Sequence, residues 1–349
     1  MRSLAVLLIC GCSLCAHTPL RSDTETASDA GPAANTAEMR ALATEFFEWR
    51  RVQQPASGDD IPRVERPDGW IPDFSPAALE SYRARYQDYL NAVDGLDTRD
   101  WDVTSRVDAR LLRAAIQRVH WELDVLQSPH RNPLFYVQQT LGSLFELLIL
   151  SSPMGEQRAG NILVRLEQIP HTLQAARENL DRPVRPFAQA TINSLVDVEE
   201  RMSRLRRALA AEFPDAQQQR LRKSIAKAAK ALSDYSDWLQ GNLDGMQTGF
   251  AIGPLKYQWF LANVALIPHS PDELLEQGGQ AWNRAVSWEA LEQNRNHELP
   301  PLPILESAER QIQVSLLKEN EIRAFLESRN LVTVPEWLMH YRSRLMPPH

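Results

Sequence analysis

The chain has 349 residues, of which 43% are hydrophobic and 24% are charged, a balance that is ordinary for a soluble globular protein. Its formal net charge of -7 argues against nonspecific nucleic-acid binding, because that activity requires a basic footprint. After residue 20, no segment contains the roughly 18 uninterrupted apolar residues that a membrane-spanning helix requires.

Residues 1–17, MRSLAVLLICGCSLCAH, have the organisation of an export leader, in which Arg2 precedes a short apolar run. The segment ICGC, residues 9–12, resembles a bacterial lipoprotein box, so Cys12 is the predicted lipidation site, with ordinary cleavage nearby as the alternative. A lipid on Cys12 anchors a protein to a membrane face without spanning it. We therefore expect the mature chain on the periplasmic side of the cell envelope, with secretion as the alternative.

All three cysteines, Cys10, Cys12 and Cys15, lie in this leader. The folded part of the sequence therefore has no internal disulfide and no cysteine-based zinc site, despite its oxidising destination. Residues 18–35 are small and polar and are predicted to form a disordered tether.

Residues 36–349 have helical periodicity almost throughout and are predicted to form one helical domain. A clear helix start is Ser75, which suits an N-cap, with Pro76 at the first helical position. Another helix is predicted from Thr104. Its expected inward residues are Val107, Leu111, Ala114, Ala115, Val119 and Leu123.

Prolines mark the later helices. Ser152 and Pro153 predict a further helix start, and Pro170 predicts a kink or break, because proline lacks an amide N–H and its ring clashes with the preceding turn. At Ser270 the signal is sharper, since Glu273 stands three residues later and completes a capping box.

Long helices joined by proline-marked turns predict an all-α fold of roughly ten helices in a single large domain. The one candidate strand is GFAIG, residues 249–253. We therefore expect at most one short strand or hairpin near residues 248–253.

A row of basic side chains recurs every three or four residues along one predicted helix: Arg220, Lys223, Lys227 and Lys230. Such a face can dock on an anionic membrane or partner, whereas an ordinary amphipathic surface helix is the commoner explanation. Among the nine tryptophans, Trp259, Trp282 and Trp288 can line a pocket, but large aromatic residues more often pack between helices. We therefore expect them in the core, and we expect His120, beside Trp121, at a helix surface or core edge.

The segment NHELPPLPI, residues 296–304, places His297 next to Glu298, as many zinc-peptidase signatures do. The usual spacing requires a second histidine four residues after the first, where this chain has Pro301. Neighbouring prolines also prevent a continuous helix, so the pair is predicted to be a loop without a metal. No two of the eight histidines stand three or four residues apart, although convergence of distant histidines in space remains an alternative.

The sequence also lacks a nucleophile elbow, a P-loop and a dinucleotide fingerprint. We therefore assign no catalytic residue, no metal ligand and no cofactor.

Several stretches, in order, resemble the bacterial "domain of unknown function 885" family, a group of helical, zinc-peptidase-like proteins that often carry export signals. They are EFFEWRRVQQP (45–55), RNPLFYVQQTL (131–141), VRLEQIPHTLQAARENL (164–180), GFAIGPLKYQWFL (249–261), SPDELLEQG (270–278) and EIRAFLESRNLVTVPE (321–336). The resemblance spans residues 40–340 and implies the N-terminal half of a zinc-peptidase-like fold.

In that family the metal signature is a His-Glu pair followed closely by Pro-Gly-His, well after a Thr-Val-Pro turn. The sequence ends at His349, just beyond that turn, and His297 and Glu298 come before it. Leu302 and Pro303 stand where Gly-His is required, so no zinc ligand or catalytic glutamate carries over. Zinc is expected only for a complete family member.

The resemblance thus predicts an exported, membrane-tethered protein that is catalytically incompetent alone, either a truncated peptidase or one half of a split one. Its expected partner is a complementary half that carries the metal, because zinc hydrolysis requires both fixed ligands and a base that activates water. The alternative is a non-enzymatic periplasmic lipoprotein that binds a peptide or acts as a scaffold.

Overall fold

A computed structural model describes residues 34–56, 65–149, 154–301 and 303–333, together with five isolated positions beyond them (335, 337, 338, 343 and 345). The leader with Cys12, most of the tether and the helix start at Ser152 and Pro153 lie outside the described residues. None of the described helices is long and apolar enough to cross a membrane.

Helices dominate the described part of the chain, and the predicted all-α fold is confirmed. The helices are α1 (Ala34–Gln53), α2 (Pro76–Asp94), α3 (Val103–His120), α4 (Ser128–Arg131), α5 (Pro133–Val137), α6 (Ser143–Leu148), α7 (Glu156–Asn179), α8 (Arg185–Ser194), α9 (Val198–Ala210), α10 (Gln218–Asn242), α11 (Pro254–Asn263), α12 (Pro271–Arg295) and α13 (Ala308–Ser328). Two π-helical turns, Trp121–Leu126 and Gln138–Gly142, follow α3 and α5.

The long helices α7 and α10 pack against each other at the centre of the fold. Their contact is apolar and fully buried, and its members include Ile162, Leu163, Leu166, Leu221, Leu232 and Leu239. A buried arginine ties this centre to the loops around it. Arg165 donates from Nε to the carbonyl of Trp70 and from Nη1 to that of Ser143, both at 2.8 Å.

The helix starts that depend on local capping agree with the sequence. Ser75 accepts from the backbone N–H of Ala78 at the start of α2, and Ser270 and Glu273 form the complete capping box of α12. For α3, the N-cap is Asp102, whose carboxylate accepts from the Ser105 N–H at 2.8 Å. The helix therefore begins one residue before Thr104.

The predicted inward face of α3 was partly wrong. Val107 and Leu111 are exposed, and the buried stripe includes Ala109, Leu112 and Ile116 instead. Both stripes recur at helical spacing, so the choice between them is made by α2, which packs against the second.

Pro170 does not break α7, which runs without interruption from Glu156 to Asn179. A proline inside a helix costs about 3 kcal/mol. Ile169 and Leu173 on either side of it are buried, and full burial of such side chains contributes about 1.5–3 kcal/mol each. Packing in the core therefore outweighs the local preference.

Residues 248–253 form no strand. The single bridge recorded among the described residues joins Val184 and Gln247, just before this segment. Gly253 has a φ of +86°, in the left-handed region that favours glycine, and there the chain turns into α11.

Candidate functional site

Four polar side chains from α2, α3 and the first π-helical turn meet where that turn follows α3. The Tyr86 hydroxyl lies 3.0 Å from His120 Nδ1 and also donates to Asp124. The same Nδ1 is 3.2 Å from Asp124 Oδ2, and Arg83 Nε donates to Asp124 Oδ1 at 2.8 Å. We call Arg83, Tyr86, His120 and Asp124 the polar tetrad. π-helical turns are uncommon and often occur at functional positions.

Burial and hydrogen bonding fix the charge states of two tetrad members. Burial, followed by the hydrogen bond to Asp124, raises the pKa of Tyr86 to about 12, so this phenol stays protonated at neutral pH. Burial alone would raise the pKa of Asp124. Hydrogen bonds from Tyr86 and Arg83 outweigh it and hold that pKa below its ordinary value, so Asp124 is a stable carboxylate.

Helix α11 attaches to the tetrad through aromatic rings. The ring of Trp259 lies 5.3 Å from that of His120 in an edge-to-face arrangement, and it is stacked beside Trp121 at 6.4 Å. Phe260 approaches Trp121 at 4.7 Å. His120 is therefore at a core edge, as the sequence indicated.

A groove of about 660 Å³ lies between α3, the π-helical turn and the end of α11. Its walls are mainly apolar and include Leu111, Ala115, Trp121, Phe260, Val264 and Leu266. Arg118 and Glu122 supply polar groups and are joined to each other at 3.2 Å. Concave apolar walls with a few fixed polar groups suit a small molecule or an apolar peptide side chain.

The surface of α12 and α13 is the second notable feature, because neither helix has a buried residue. Trp282 and Trp288 are 70% and 62% exposed, so the expectation that they lie in the core was wrong, whereas Trp259 is half-buried. The large hydrophobic residues exposed on these helices are Leu275, Trp282, Val286, Trp288 and Leu291 on α12 and Leu316, Leu317, Ile322 and Phe325 on α13. Their spacing places them on more than one side of each helix, and we call them the exposed apolar set.

His297 and Glu298 lie in an exposed turn directly after α12. His297 Nδ1 is 2.6 Å from the carbonyl of Asn294, and its Nε2 is 3.6 Å from the Glu298 carboxylate. Within the described part of the chain, no three His, Cys, Asp or Glu side chains converge to hold a metal ion. His340 and His349 are outside that part.

The four basic residues of the predicted row on α10 lie in two different environments. Arg220, Lys223 and Lys227 line one groove with α7, whereas Lys230 pairs with Asp234 at 2.8 Å on the same helix.

Sequence analysis missed the polar tetrad. Its only local signals are the i, i+4 spacing of His120 and Asp124 and the i, i+3 spacing of Arg83 and Tyr86.

Together, these features define an all-α protein that has an aromatic-lined groove at a π-helical turn and two long helices without a buried residue. The family model described as "Bacterial protein of unknown function (DUF885)" matches residues 54–288. The chain belongs to this family, which confirms the resemblance seen in the sequence.

One solved structure has a similar fold. It is described as "a putative lipoprotein of unknown function from Shewanella oneidensis", and it aligns with a TM-score of 0.58 at 15% sequence identity. The alignment covers 87% of this chain and 59% of that one, so this chain spans less than two thirds of its length. A comparison with curated proteins found no match.

Proposed function

We propose that this chain is the exported, helical half of a peptidase-like assembly and is catalytically incompetent alone. The exposed apolar set on α12 and α13 binds a complementary half that carries the metal site. The observation that supports this most directly is the lack of any buried residue in two long helices rich in large hydrophobic side chains. The extra length of the structural neighbour is consistent with a further region covering them.

The free energy of burying hydrophobic side chains favours a partner on α12 and α13. Full burial of one large hydrophobic side chain contributes about 1.5–3 kcal/mol, and nine such side chains are exposed here. Isolated helices are only marginally stable in water, and most helical stability in proteins comes from packing of an apolar face.

Two glycines inside α12 support close approach of that partner. Gly278 and Gly279 stand between Leu275 and Trp282, and a Cβ atom added to either glycine meets nothing within 4 Å. Glycine in a helix interior costs about 1 kcal/mol relative to alanine, and nothing in the described chain requires it here. A partner backbone lying against the helix at this point supplies a reason.

The zinc ligands decide which half of the proposed assembly supplies the metal site. The described residues do not fit a zinc site, because no suitable group of three side chains converges. In the proposed assembly, the complementary half supplies the ligands and the base, and this chain supplies the groove beside Trp121 and Phe260 for substrate. The peptidase-like character rests on the family resemblance, and the lipoprotein description of the neighbour supports an anchor at Cys12.

The test is to translate the DNA downstream of this gene in all frames and to co-express any product that contains His-Glu followed by Pro-Gly-His. We expect a stoichiometric complex by light scattering and chelator-sensitive peptide hydrolysis that neither half shows alone. Trp282→Ser should abolish the complex, whereas Val196→Ser, at an exposed valine between α8 and α9, should leave it intact. Chelator-sensitive hydrolysis by this chain alone would overturn the proposal.

The groove between α3 and α11 favours a second candidate, a non-enzymatic periplasmic lipoprotein that binds peptides. Its apolar walls and the Arg118–Glu122 pair suit an extended peptide with an apolar side chain. Titration with apolar peptides should change the fluorescence of Trp121 and Trp259. Leu111→Asp should abolish that change if the groove is the site, and a monodisperse chain that binds peptides without any partner would favour this candidate over the first.

A further inference from the structure

We propose that the groove between α7 and α10 binds a phosphate-bearing ligand. This groove has a volume of about 540 Å³ and lies on a different pair of helices from the aromatic-lined groove. The polar residues that line it are Glu167, His171, Gln219, Arg220, Lys223, Ser224 and Lys227.

The basic residues are fixed relative to one another by the core. Arg220, Lys223 and Lys227 occupy positions i, i+3 and i+7 of α10, so they lie along one face of the helix. The opposite face carries Leu221 and Leu232, which are fully buried. A ligand therefore meets a rigid row of donors that spans about 10 Å, at 1.5 Å of rise per residue.

One acidic residue holds the row in place. Arg220 donates from Nε and Nη2 to the two oxygens of Glu167 at 2.7 and 2.6 Å, and the Ser224 hydroxyl donates to the same carboxylate at 3.0 Å. The hydrogen bond from Arg220 is the main cause of a lowered pKa for Glu167, to which the charge of Lys227 also contributes. An arginine has five N–H donors, so the fork with Glu167 leaves others for a ligand.

The charge balance of the groove is positive. Three cationic side chains face one carboxylate, although the whole chain has a net charge of -7. Lys223 and Lys227 form no hydrogen bond with the part of the chain that the structure describes, so their ammonium groups are available. A tetrahedral phosphate accepts several charge-assisted hydrogen bonds at once, which suits a guanidinium with two nearby ammonium groups.

A concave site of this size accommodates a small phosphate ester or a lipid headgroup, whereas a nucleic-acid backbone is contacted over an extended surface. Binding to a nucleic-acid duplex requires a broad basic surface, and the net negative charge of this chain opposes it. The phosphate can come from a small phosphate ester or from the headgroup of an anionic phospholipid. Both sources share the same chemistry.

The experiment uses the full mature chain and three probes: inorganic phosphate, glycerol 3-phosphate, and phosphatidylglycerol vesicles with phosphatidylcholine vesicles as the control. Binding of either soluble probe, by calorimetry, supports a small phosphate ester. Binding only of phosphatidylglycerol vesicles, by sedimentation, supports the lipid source. If none of the probes binds at moderate ionic strength, the proposal is overturned.

Variants distinguish the groove from general charge effects. The double variant Lys223→Gln, Lys227→Gln should weaken binding at least about tenfold, because it removes two charge-assisted donors. Lys230→Gln is the matched control on the same helix, outside the groove, and should change binding less than about twofold. The arginine double variant, Lys223→Arg, Lys227→Arg, should retain binding. Equal losses in the glutamine double variant and the control would overturn the assignment.

Discussion

Arg50 on α1 contacts both carboxylate oxygens of Glu122 in the π-helical turn, at 2.7 and 2.6 Å, across 72 positions of sequence. The Arg50 side chain is only 9% exposed, and Glu122 also accepts from Arg118. This pair fixes the N-terminal helix against the turn that carries Asp124 and Trp121. The geometry of the candidate groove therefore depends on a contact that no local sequence pattern indicates.

Replacing Arg50 should destabilise the fold. We expect Arg50→Met to lower the free energy of unfolding by about 2–3 kcal/mol, because it leaves a partly buried carboxylate without its main partner. Urea denaturation followed by circular dichroism measures this. Arg99→Gln, which breaks an exposed pair with Asp97, is the control and should leave the free energy of unfolding nearly unchanged, because solvent screens exposed ion pairs. Similar losses in both variants would contradict the structural role of Arg50.

The polar tetrad should make stability depend on pH. The pKa of Asp124 is lower in the folded chain than in the unfolded chain, so the unfolded chain binds the proton more readily. Asp124 therefore stabilises the fold at pH values above the ordinary aspartate pKa. This stabilisation is lost as the pH falls through the pKa of the folded state. Asp124→Asn should cost about 1–2 kcal/mol at pH 7, and the difference from the wild type should shrink as the pH falls below the ordinary aspartate pKa. Unfolding curves at several pH values measure this. A difference that stayed constant down to low pH would contradict this role of Asp124.

The glycine pair in α12 should respond oppositely in the free and assembled states. Gly279→Ala should stabilise the helix of the free chain by about 0.5–1 kcal/mol, because alanine is the better helix former and the added Cβ has open space. In the proposed assembly the same methyl should weaken binding of the complementary half. Gly241→Ala, in the last turn of α10 and also with open space, is the control and should leave that binding unchanged. Stronger binding by Gly279→Ala would contradict close backbone approach at this point.

The anchor at Cys12 remains a prediction, since it lies outside the described residues. Expressed with its leader in a Gram-negative host, the wild-type chain should fractionate with membranes and carry a diacylglyceryl group detectable by mass spectrometry. Cys12→Ser should shift the chain to the soluble periplasmic fraction, because it removes the thiol to which the predicted lipid anchor is attached. Cys15→Ser is the control and should not move it. An unmodified wild-type chain in the soluble fraction would favour ordinary cleavage and secretion.

Features that depend on a few neighbouring residues were predictable from the sequence. Ser75 with Pro76, and Ser270 with Glu273, cap helices through hydrogen bonds within one turn, and both were predicted correctly. Family membership was also predictable from the quoted segments, and the family model confirms it over residues 54–288.

Features that depend on what packs against a helix were not predictable. Pro170 was expected to disturb α7, but buried neighbours on both sides maintain the helix. Trp282 was expected in the core, yet no described element covers it. Arg83 and Asp124 are 41 positions apart, so the local spacings within each helix could not predict that the two halves of the tetrad meet.

Because α12 and α13 bury none of their 25 and 21 residues, they add little to the cooperative unfolding of the chain. Limited proteolysis of the free chain should therefore first cut within this region and release a resistant core that ends near α11. Amide exchange should be fast along both helices and slow in α7 and α10. A ligand or partner that binds these two helices should slow their amide exchange, so binding can be detected before the ligand or partner is identified.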